Sequence, residues 1–346
     1  MTGFQPEPRL TRDHLEQLFT EMAARHVVVV GDAMLDIYLA GDAERISPEA
    51  PVPVVTVHTR RAALGGAANV AANVAAIGAE CRLVAVIGDD ARGDSLRAEL
   101  AQNRLPDRHI VVAAARPTTS KTRVTARGQQ VVRIDEEVED LIAPRTENQL
   151  LGQLDAAMTD ADAVLIEDYN KGTLTPGVIE RAMMLAKKRG IPVVVDPKFK
   201  HFFAYRGATL FKPNRRELEQ AMGATLDLAR PDALPTSLDK LGVDNLLLTL
   251  GPEGMVLVTK DRQLTRIPTM AREVFDVSGA GDTVTAWVGT ALAAGASVRE
   301  GAQVANYAAG VEVGKSGVAT VSPLEVLAMH EAHYDQLGKL RRGGLL

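Results

Sequence analysis

Apolar residues recur along the chain in two rhythms. Short runs at 26–31 (His-Val-Val-Val-Val-Gly), 83–88, 163–166, 192–195 and 246–250 are apolar at nearly every position, the pattern of strands buried on both faces. Between them, apolar residues at helical spacing predict helices over 10–24, 144–158, 176–188, 215–222, 232–241, 280–294 and 299–313. A helix through Leu100 follows Asp89-Asp90, residues 209–211 read as a short strand, and 255–258 with 263–267 read as a β-hairpin. Strands alternating with helices predict an α/β fold whose mostly parallel sheet is covered on both faces. No repeat or interdomain linker interrupts the rhythm, so residues 1–346 are expected to form a single domain.

Two stretches break step. Residues 42–60 contain Pro48, Pro51 and Pro53 before an alternating Val54–Val57 run. In 118–137, Thr119, Lys121, Arg123 and Thr125 alternate with other residues, a turn is read at 127–130, and Val131-Val-Arg-Ile134 follows. Together they predict a small sheet standing off the main domain, suited to a lid or a dimer surface.

Composition narrows the setting. Apolar residues make up 46% of the chain, ample for a buried core. A formal net charge of −5 argues against a nucleic-acid partner. The single cysteine, Cys81, permits no internal disulfide, reads as a packed small residue and suits a reducing cytoplasm. Residues 1–11 are polar, with no secretory apolar segment, and no run is long enough to span a bilayer. A cytoplasmic protein with no membrane partner is expected.

Candidate chemistry gathers after strand ends. The clearest stretch is Asp276-Val-Ser-Gly-Ala-Gly-Asp-Thr-Val-Thr285, at a helix start. Gly279, Ala280 and Gly281 let a ligand approach the backbone, and first-turn N–H groups without internal partners can hold an anion. Asp282 at that mouth would repel a resting phosphate, but suits a base that takes a proton from an attacking hydroxyl. Asp32 and Asp36 follow the first strand and could accept hydrogen bonds from sugar hydroxyls. Gly65-Gly66 opens an alanine-rich helix with Asn69 and Asn73 on one face. Further polar clusters stand at 167–172, 196–198, 214–217 and 249–254. Two look-alikes are set aside. Gly310-x-x-x-Gly-Lys-Ser316 is one residue short of a phosphate-binding loop and reads as helix. His330-x-x-His333 is one short of a zinc signature and reads as a solvated helix face.

Gly65-Gly66 with Asn69, Asn214-x-x-Glu217, Thr249-x-Gly251 and Gly279-Ala-Gly281-Asp282 occur together and in order. This set resembles the ribokinase-like (PfkB) carbohydrate kinases over nearly the whole chain. Residues 45–54, 64–70, 205–209 and 274–283 are most similar to the branch acting on D-glycero-β-D-manno-heptose 7-phosphate. The resemblance implies a three-layer α/β sandwich with a mostly parallel central sheet and a small β lid at 42–60 and 118–137. It implies ATP-dependent phosphorylation at O1 to the 1,7-bisphosphate, for ADP-heptose and lipopolysaccharide core synthesis. It also implies Mg2+ with ATP, room for a monovalent cation, and a homodimer through the lid. Many such kinases are fused to a C-terminal adenylyltransferase. No His-x-Gly-His sequence is present, so a stand-alone kinase is expected.

Carried onto this chain, the resemblance makes Asp282 the base, with the N–H groups of Gly279, Ala280 and Gly281 stabilising the transferring group. Asp32, Asp36, Gly65, Gly66, Asn69 and Lys198 would hold the sugar. Asn214, Arg215, Arg216, Glu217, Thr249, Gly251, Gly254 and Asn306 would meet ATP, with Glu217 reaching Mg2+ through water. Lys121, Arg123, Arg133, Lys171 and Lys198 are unranked candidates for the phosphate of a sugar phosphate. Two alternatives stand beside this reading: a kinase of another sugar or a nucleoside, and a non-catalytic nucleotide or sugar sensor on the same fold.

Overall fold

The computed structural model describes residues 4–5, 8, 10–228, 234–271 and 274–342; the predicted helix start at Asp232 lies outside them. In chain order the first elements are α1 (Arg12–Ala23), β1 (His26–Gly31), β2 (Ala33–Ile46), β3 (Pro53–Gly66), α2 (Ala67–Ile77), β4 (Glu80–Gly88) and α3 (Ala91–Gln102). Then come β5 (Ile110–Ala113), β6 (Ser120–Ala126), β7 (Gln129–Glu136), α4 (Pro144–Ala157), β8 (Ala163–Glu167), α5 (Pro176–Arg189), β9 (Val193–Asp196) and β10 (Leu210–Phe211). The last are α6 (Arg215–Met222), α7 (Leu234–Leu241), β11 (Leu246–Thr249), β12 (Met255–Val258), β13 (Leu264–Ile267), α8 (Ala280–Ala293), α9 (Val298–Glu312) and α10 (Pro323–Arg342).

Nine strands form the main sheet in the order β13-β12-β11-β10-β9-β8-β1-β4-β5. All neighbours are parallel except β11 with β12 and β12 with β13. Successive strand residues point to opposite faces, and each face has its own core. Val27 and Val29 of β1 pack with α1, α2, α3, α8, α9 and α10, while Val28 and Val30 pack with α4, α5, α6 and α7. The unbroken apolar runs follow from this double burial. From β1 the chain winds to β4 and β5 at one edge, then returns through β8 towards the other. Strand order therefore reverses between β1 and β8, and the ligand crevice of such sheets opens at the carboxyl ends there.

The four-stranded second sheet runs β3-β2-β6-β7. It is larger than the sequence suggests. The first excursion was expected over 42–60, but β2 starts at Ala33 and β3 ends at Gly66, fourteen residues each. Their inner ends are buried in the main core, so apolar residues 33–35 and 62–64 hide where the lid begins. Asp36 consequently lies within a strand, not in a loop. The β6–β7 hairpin turns at Arg127 and Gly128, both with positive φ. Edge strand β5 escaped prediction, since four residues carry too little pattern. Cys81 is buried within β4 as a packed residue. Gly310 lies inside α9, as a helical reading requires. His330 contradicts the solvated-face expectation. It is buried, its Nε2–H donates to the Leu10 carbonyl at 2.9 Å, and its ring packs edge-on to Tyr307.

Candidate active site

Helix α8 begins with Gly279 at φ 95°, a backbone conformation that side chains resist. A Cβ there would lie 3.0 Å from Asn69 Nδ2 and 3.2 Å from Glu312 Oε1, so the turn tolerates little but glycine. Ala280 N–H donates to the Val277 carbonyl at 3.4 Å, so it is not the free donor that the sequence suggested. Gly281 N–H belongs to the first turn, where helices lack internal partners. Asp282, 4% exposed, is held from two sides: Asn69 Nδ2 donates to Oδ2 at 2.8 Å and the Tyr169 hydroxyl donates to Oδ1 at 2.7 Å. Burial pushes the Asp282 carboxyl up to about 6; these two hydrogen bonds oppose the rise and Asp196 adds to it. A carboxylate with that affinity can take and release a proton near neutral pH.

Behind Asp282 lie groups that sequence reasoning did not assign. Carboxylate oxygens of Glu167, Asp196 and Asp282 lie within 4.8 Å of one another, all buried. Burial and the neighbouring Asp196 and Asp282 charges raise Glu167 well above the usual carboxylate range, so its carboxyl keeps a proton that it can donate to Asp196. Burial works against ionised Asp196 too, yet Lys212 and Lys198 hold it below its ordinary value. Lys212 Nζ donates to Asp196 Oδ2 at 2.8 Å and lies 3.5 Å from where a Gly281 Cβ would stand. A fixed ammonium thus sits against the α8 turn. The three buried acidic groups offer the hard oxygen donors that a divalent cation prefers, one of them already paired with the Lys212 ammonium. Glu312 is also buried with both oxygens unpartnered, and burial with Asp282 and Asp276 pushes it up to about 8.

A cavity of about 740 Å³ runs from these groups along the sheet's carboxyl edge. Asn214, Glu217, Thr249, Gly251, Gly254, Asn306, Lys198 and Gly279–Asp282 all line it. Asn214 and Glu217 cap α6 reciprocally. Asn214 Oδ1 accepts from Glu217 N–H at 2.9 Å and Glu217 Oε2 accepts from Asn214 N–H at 2.8 Å. Glu217 Oε1 meets Lys198 Nζ at 2.7 Å. Lys198 also lies over the Tyr169 ring, 4.8 Å from its centre. Asn306 Nδ2 donates to the Pro268 carbonyl at 2.7 Å. Arg215 and Arg216 do not reach the cavity. Arg215 donates to Glu219 and to the Leu226 carbonyl, both at 3.0 Å, and Arg216 is exposed. The far end is apolar, lined by Ala271, Val274, Val277, Ala309 and Val313. The cavity thus joins charged groups to an apolar lining.

Of the residues expected to hold a sugar, Lys198 lines this cavity, whereas Asp32, Asp36, Gly65, Gly66 and Asn69 are not in its lining. Asp32 is 2% exposed and accepts three backbone N–H groups, from Tyr169 at 2.8 Å, Lys171 at 2.9 Å and Thr173 at 3.0 Å. Most of its accepting capacity therefore fixes the loop that carries Tyr169. Asp36 pairs with Arg123. Its Oδ2 lies 2.4 Å from where a Gly65 Cβ would stand, and a Gly66 Cβ would press the Asp32 carbonyl at 2.5 Å. Both glycines thus let the end of β3 lie close against β2. Lys171 Nζ meets Glu137 at 2.8 Å, and Lys121 Nζ meets the same carboxylate at 2.9 Å. Tyr169 and Lys212 followed strand ends, a signal available in the sequence, but nothing there showed that they converge.

Residues 24–325 match the profile of the pfkB family carbohydrate kinases. Among curated relatives, the bifunctional protein HldE of Geobacter sulfurreducens is 45% identical over 320 residues, covering 92% of this chain and 65% of that protein. The bifunctional protein HldE of Pelobacter propionicus is 42% identical over 342 residues, covering 97% and 70%. The chain thus spans about two thirds of the length of these relatives. Arabidopsis thaliana ribokinase, solved with ribose and ATP, superposes with a TM-score of 0.70 at 22% identity, covering 88% of this chain and 98% of that one. Escherichia coli phosphofructokinase-2, solved with substrates and products, gives 0.74 at 20% identity, covering 89% and 99%. At such identities the likeness is one of fold.

Proposed function

This chain belongs to the pfkB family of carbohydrate kinases and has their ribokinase-like α/β fold; on that premise we propose that it transfers the γ-phosphoryl group of ATP to O1 of D-glycero-β-D-manno-heptose 7-phosphate. The observation that carries the reading is Asp282, a buried carboxylate held at the first turn of α8 beside the Lys212 ammonium. Identity of 42–45% with HldE proteins, and the signature stretches at 45–54, 64–70, 205–209 and 274–283, support this acceptor over other sugars. The product, a heptose 1,7-bisphosphate, would serve ADP-heptose and lipopolysaccharide core synthesis.

In the proposed reaction the O1–H proton passes to Asp282 as O1 bonds to the γ-phosphorus, and the bond from that phosphorus to the bridging oxygen of ADP breaks. Phosphoryl transfer is mainly positioning and charge stabilisation. Lys212 and the Gly281 N–H would face the transferring oxygens, and the apolar lining would suit the adenine. Magnesium would come bound with ATP and offset phosphate charge, and Glu217, Asp196 and Glu167 are the acidic groups that would hold it, directly or through water. Asp36 and Asn69 border the sugar. The lid would exclude water. Its outer face, with exposed Val132 and Ile134, supports pairing with a second copy.

The test is ADP release by purified protein with Mg-ATP across a panel of sugars, sugar phosphates and nucleosides. Turnover confined to heptose 7-phosphate is expected. Turnover only with another acceptor moves the substrate, and tight ATP binding without any turnover contradicts the kinase reading.

A further inference from the structure

The loop that follows β8, residues 168–173, is fixed by more hydrogen bonds than a plain connection needs. Buried Asp32 accepts from the backbone N–H groups of Tyr169, Lys171 and Thr173. Buried Asp168 accepts from the Asn170 N–H at 2.8 Å and from the Tyr205 hydroxyl at 2.7 Å. Asn170 is held at φ 56°, in the left-handed region that few residues other than glycine adopt. Its Oδ1 accepts from the Lys200 N–H at 3.3 Å. A backbone of this kind persists where its surroundings over-determine it. Of the residues in this loop, only Tyr169 lines the cavity.

The Tyr169 side chain has two separate engagements there. Its hydroxyl donates to Asp282 Oδ1 at 2.7 Å. Its ring face carries the Lys198 ammonium, 4.8 Å from the ring centre. That ammonium meets Glu217 at 2.7 Å and Asp196 at 3.8 Å, so carboxylates and an aromatic face hold it in one place. The hydroxyl bond matters for a base. A carboxylate offers about four acceptor sites, and the terminal torsion of aspartate is broad. Tyr169 on Oδ1 and Asn69 on Oδ2 fix the carboxylate plane and leave further lone pairs for a hydroxyl proton. Asn69 is itself oriented, since its carbonyl and its Oδ1 accept from Asn73 Nδ2 at 3.1 and 3.2 Å.

We propose that Tyr169 is a positioning residue with two separable duties: its hydroxyl orients Asp282 towards the acceptor oxygen, and its ring face holds Lys198 beside Glu217 on the nucleotide side. One side chain thereby joins the base to the nucleotide cavity. The proposal rests on the reading of Asp282 as the base of the proposed transfer.

The test uses Mg-ATP with whichever acceptor gives turnover in the panel above, and two variants. Tyr169→Phe removes the hydroxyl and keeps the ring; Tyr169→Leu removes both. Tyr169→Phe should lower kcat about tenfold or more, the scale of a lost hydrogen bond to a charged group. Its affinity for ATP by calorimetry should stay within about twofold of wild type, because the ring face is intact. Tyr169→Leu should show the same loss in kcat and also bind ATP about threefold or more weakly, the scale of one cation–π contact. The hydroxyl acts through Asp282, so Tyr169→Phe should cost no more than about twofold in kcat when added to Asp282→Asn. A side chain that merely packs would cost the same factor in both backgrounds. Unchanged kcat in Tyr169→Phe, or its full loss repeated on Asp282→Asn, overturns the hydroxyl's duty while the kinase reading stands. Unchanged ATP affinity in Tyr169→Leu overturns the ring's duty. Near-normal kcat in Asp282→Asn alone overturns the base reading itself, and this assignment with it.

Discussion

In the main sheet, Val27 to Val30 of β1 expose no surface at all, whereas every residue of β7 in the lid is exposed. The main sheet is mostly parallel and the lid mostly antiparallel, and the two hold their polar groups differently. At the carboxyl edge of the main sheet, Asp282, Asp196 and Lys212 are buried and fixed by short hydrogen bonds. On the lid, Arg133, Asp135 and Lys121 are partly exposed and held by ion pairs that water can replace. On the proposed reading, reaction chemistry falls to the buried region and contact with the substrate to the looser one. Burial raises the proton affinity of a base, and partial exposure lets recognition groups exchange partners when a substrate arrives.

The largest effect should come from the rigid side. Asp282→Asn should fold and bind ATP normally but lose at least about a hundredfold in kcat, the lower range for acid–base catalysis. Near-normal turnover would remove Asp282 from its role. The two sheets should differ in stability as well. Leu165, fully buried in β8, should cost about 2–5 kcal/mol when changed to Ala, whereas Ile134→Ala in the exposed lid strand should cost under about 0.5 kcal/mol. Urea unfolding measures both, and equal losses would mean that the lid is as firmly packed as the core.

The pH profile sharpens the contrast further. Asp282 must be ionised to accept a proton, and burial raises it to about 6. kcat/KM should therefore fall about tenfold per pH unit below about pH 6. The sign for stability is opposite: the folded state binds this proton more tightly than the unfolded chain does. The contribution of Asp282 is thus most favourable below its unfolded value and is lost as pH rises through about 6. Activity with no acid limb near 6 would contradict the base role. The smallest effect should follow from shortening the hairpin tip at 127–130. ATP hydrolysis without sugar should rise a few fold if the lid excludes water. Unchanged hydrolysis would leave the lid as a dimer surface only.

The main sheet was legible because double burial writes itself as unbroken apolar runs, and the stretch from Asp276 to Thr285 was legible because its glycines and aspartate are adjacent. Convergence was not. Glu167, Tyr169, Asp196 and Lys212 come from three strand ends, and the parallel pairing of β8, β9 and β10 side by side brings them together. The lid's starting point was hidden by apolar residues serving both sheets. Arg215 and Arg216 stand beside true cavity residues in sequence but point elsewhere, because successive helix positions turn by about 100°. His330 was misread for want of its distant partner, the Leu10 carbonyl.

The most direct measurement is phosphorus NMR of the reaction of wild-type protein with Mg-ATP and heptose 7-phosphate, followed against Asp282→Asn. A new anomeric phosphate formed one-for-one with ADP by wild type, and at least about a hundredfold more slowly by the variant, is the predicted result. A phosphate appearing at another position, or at the same rate in both proteins, would contradict transfer to O1 with Asp282 as its base.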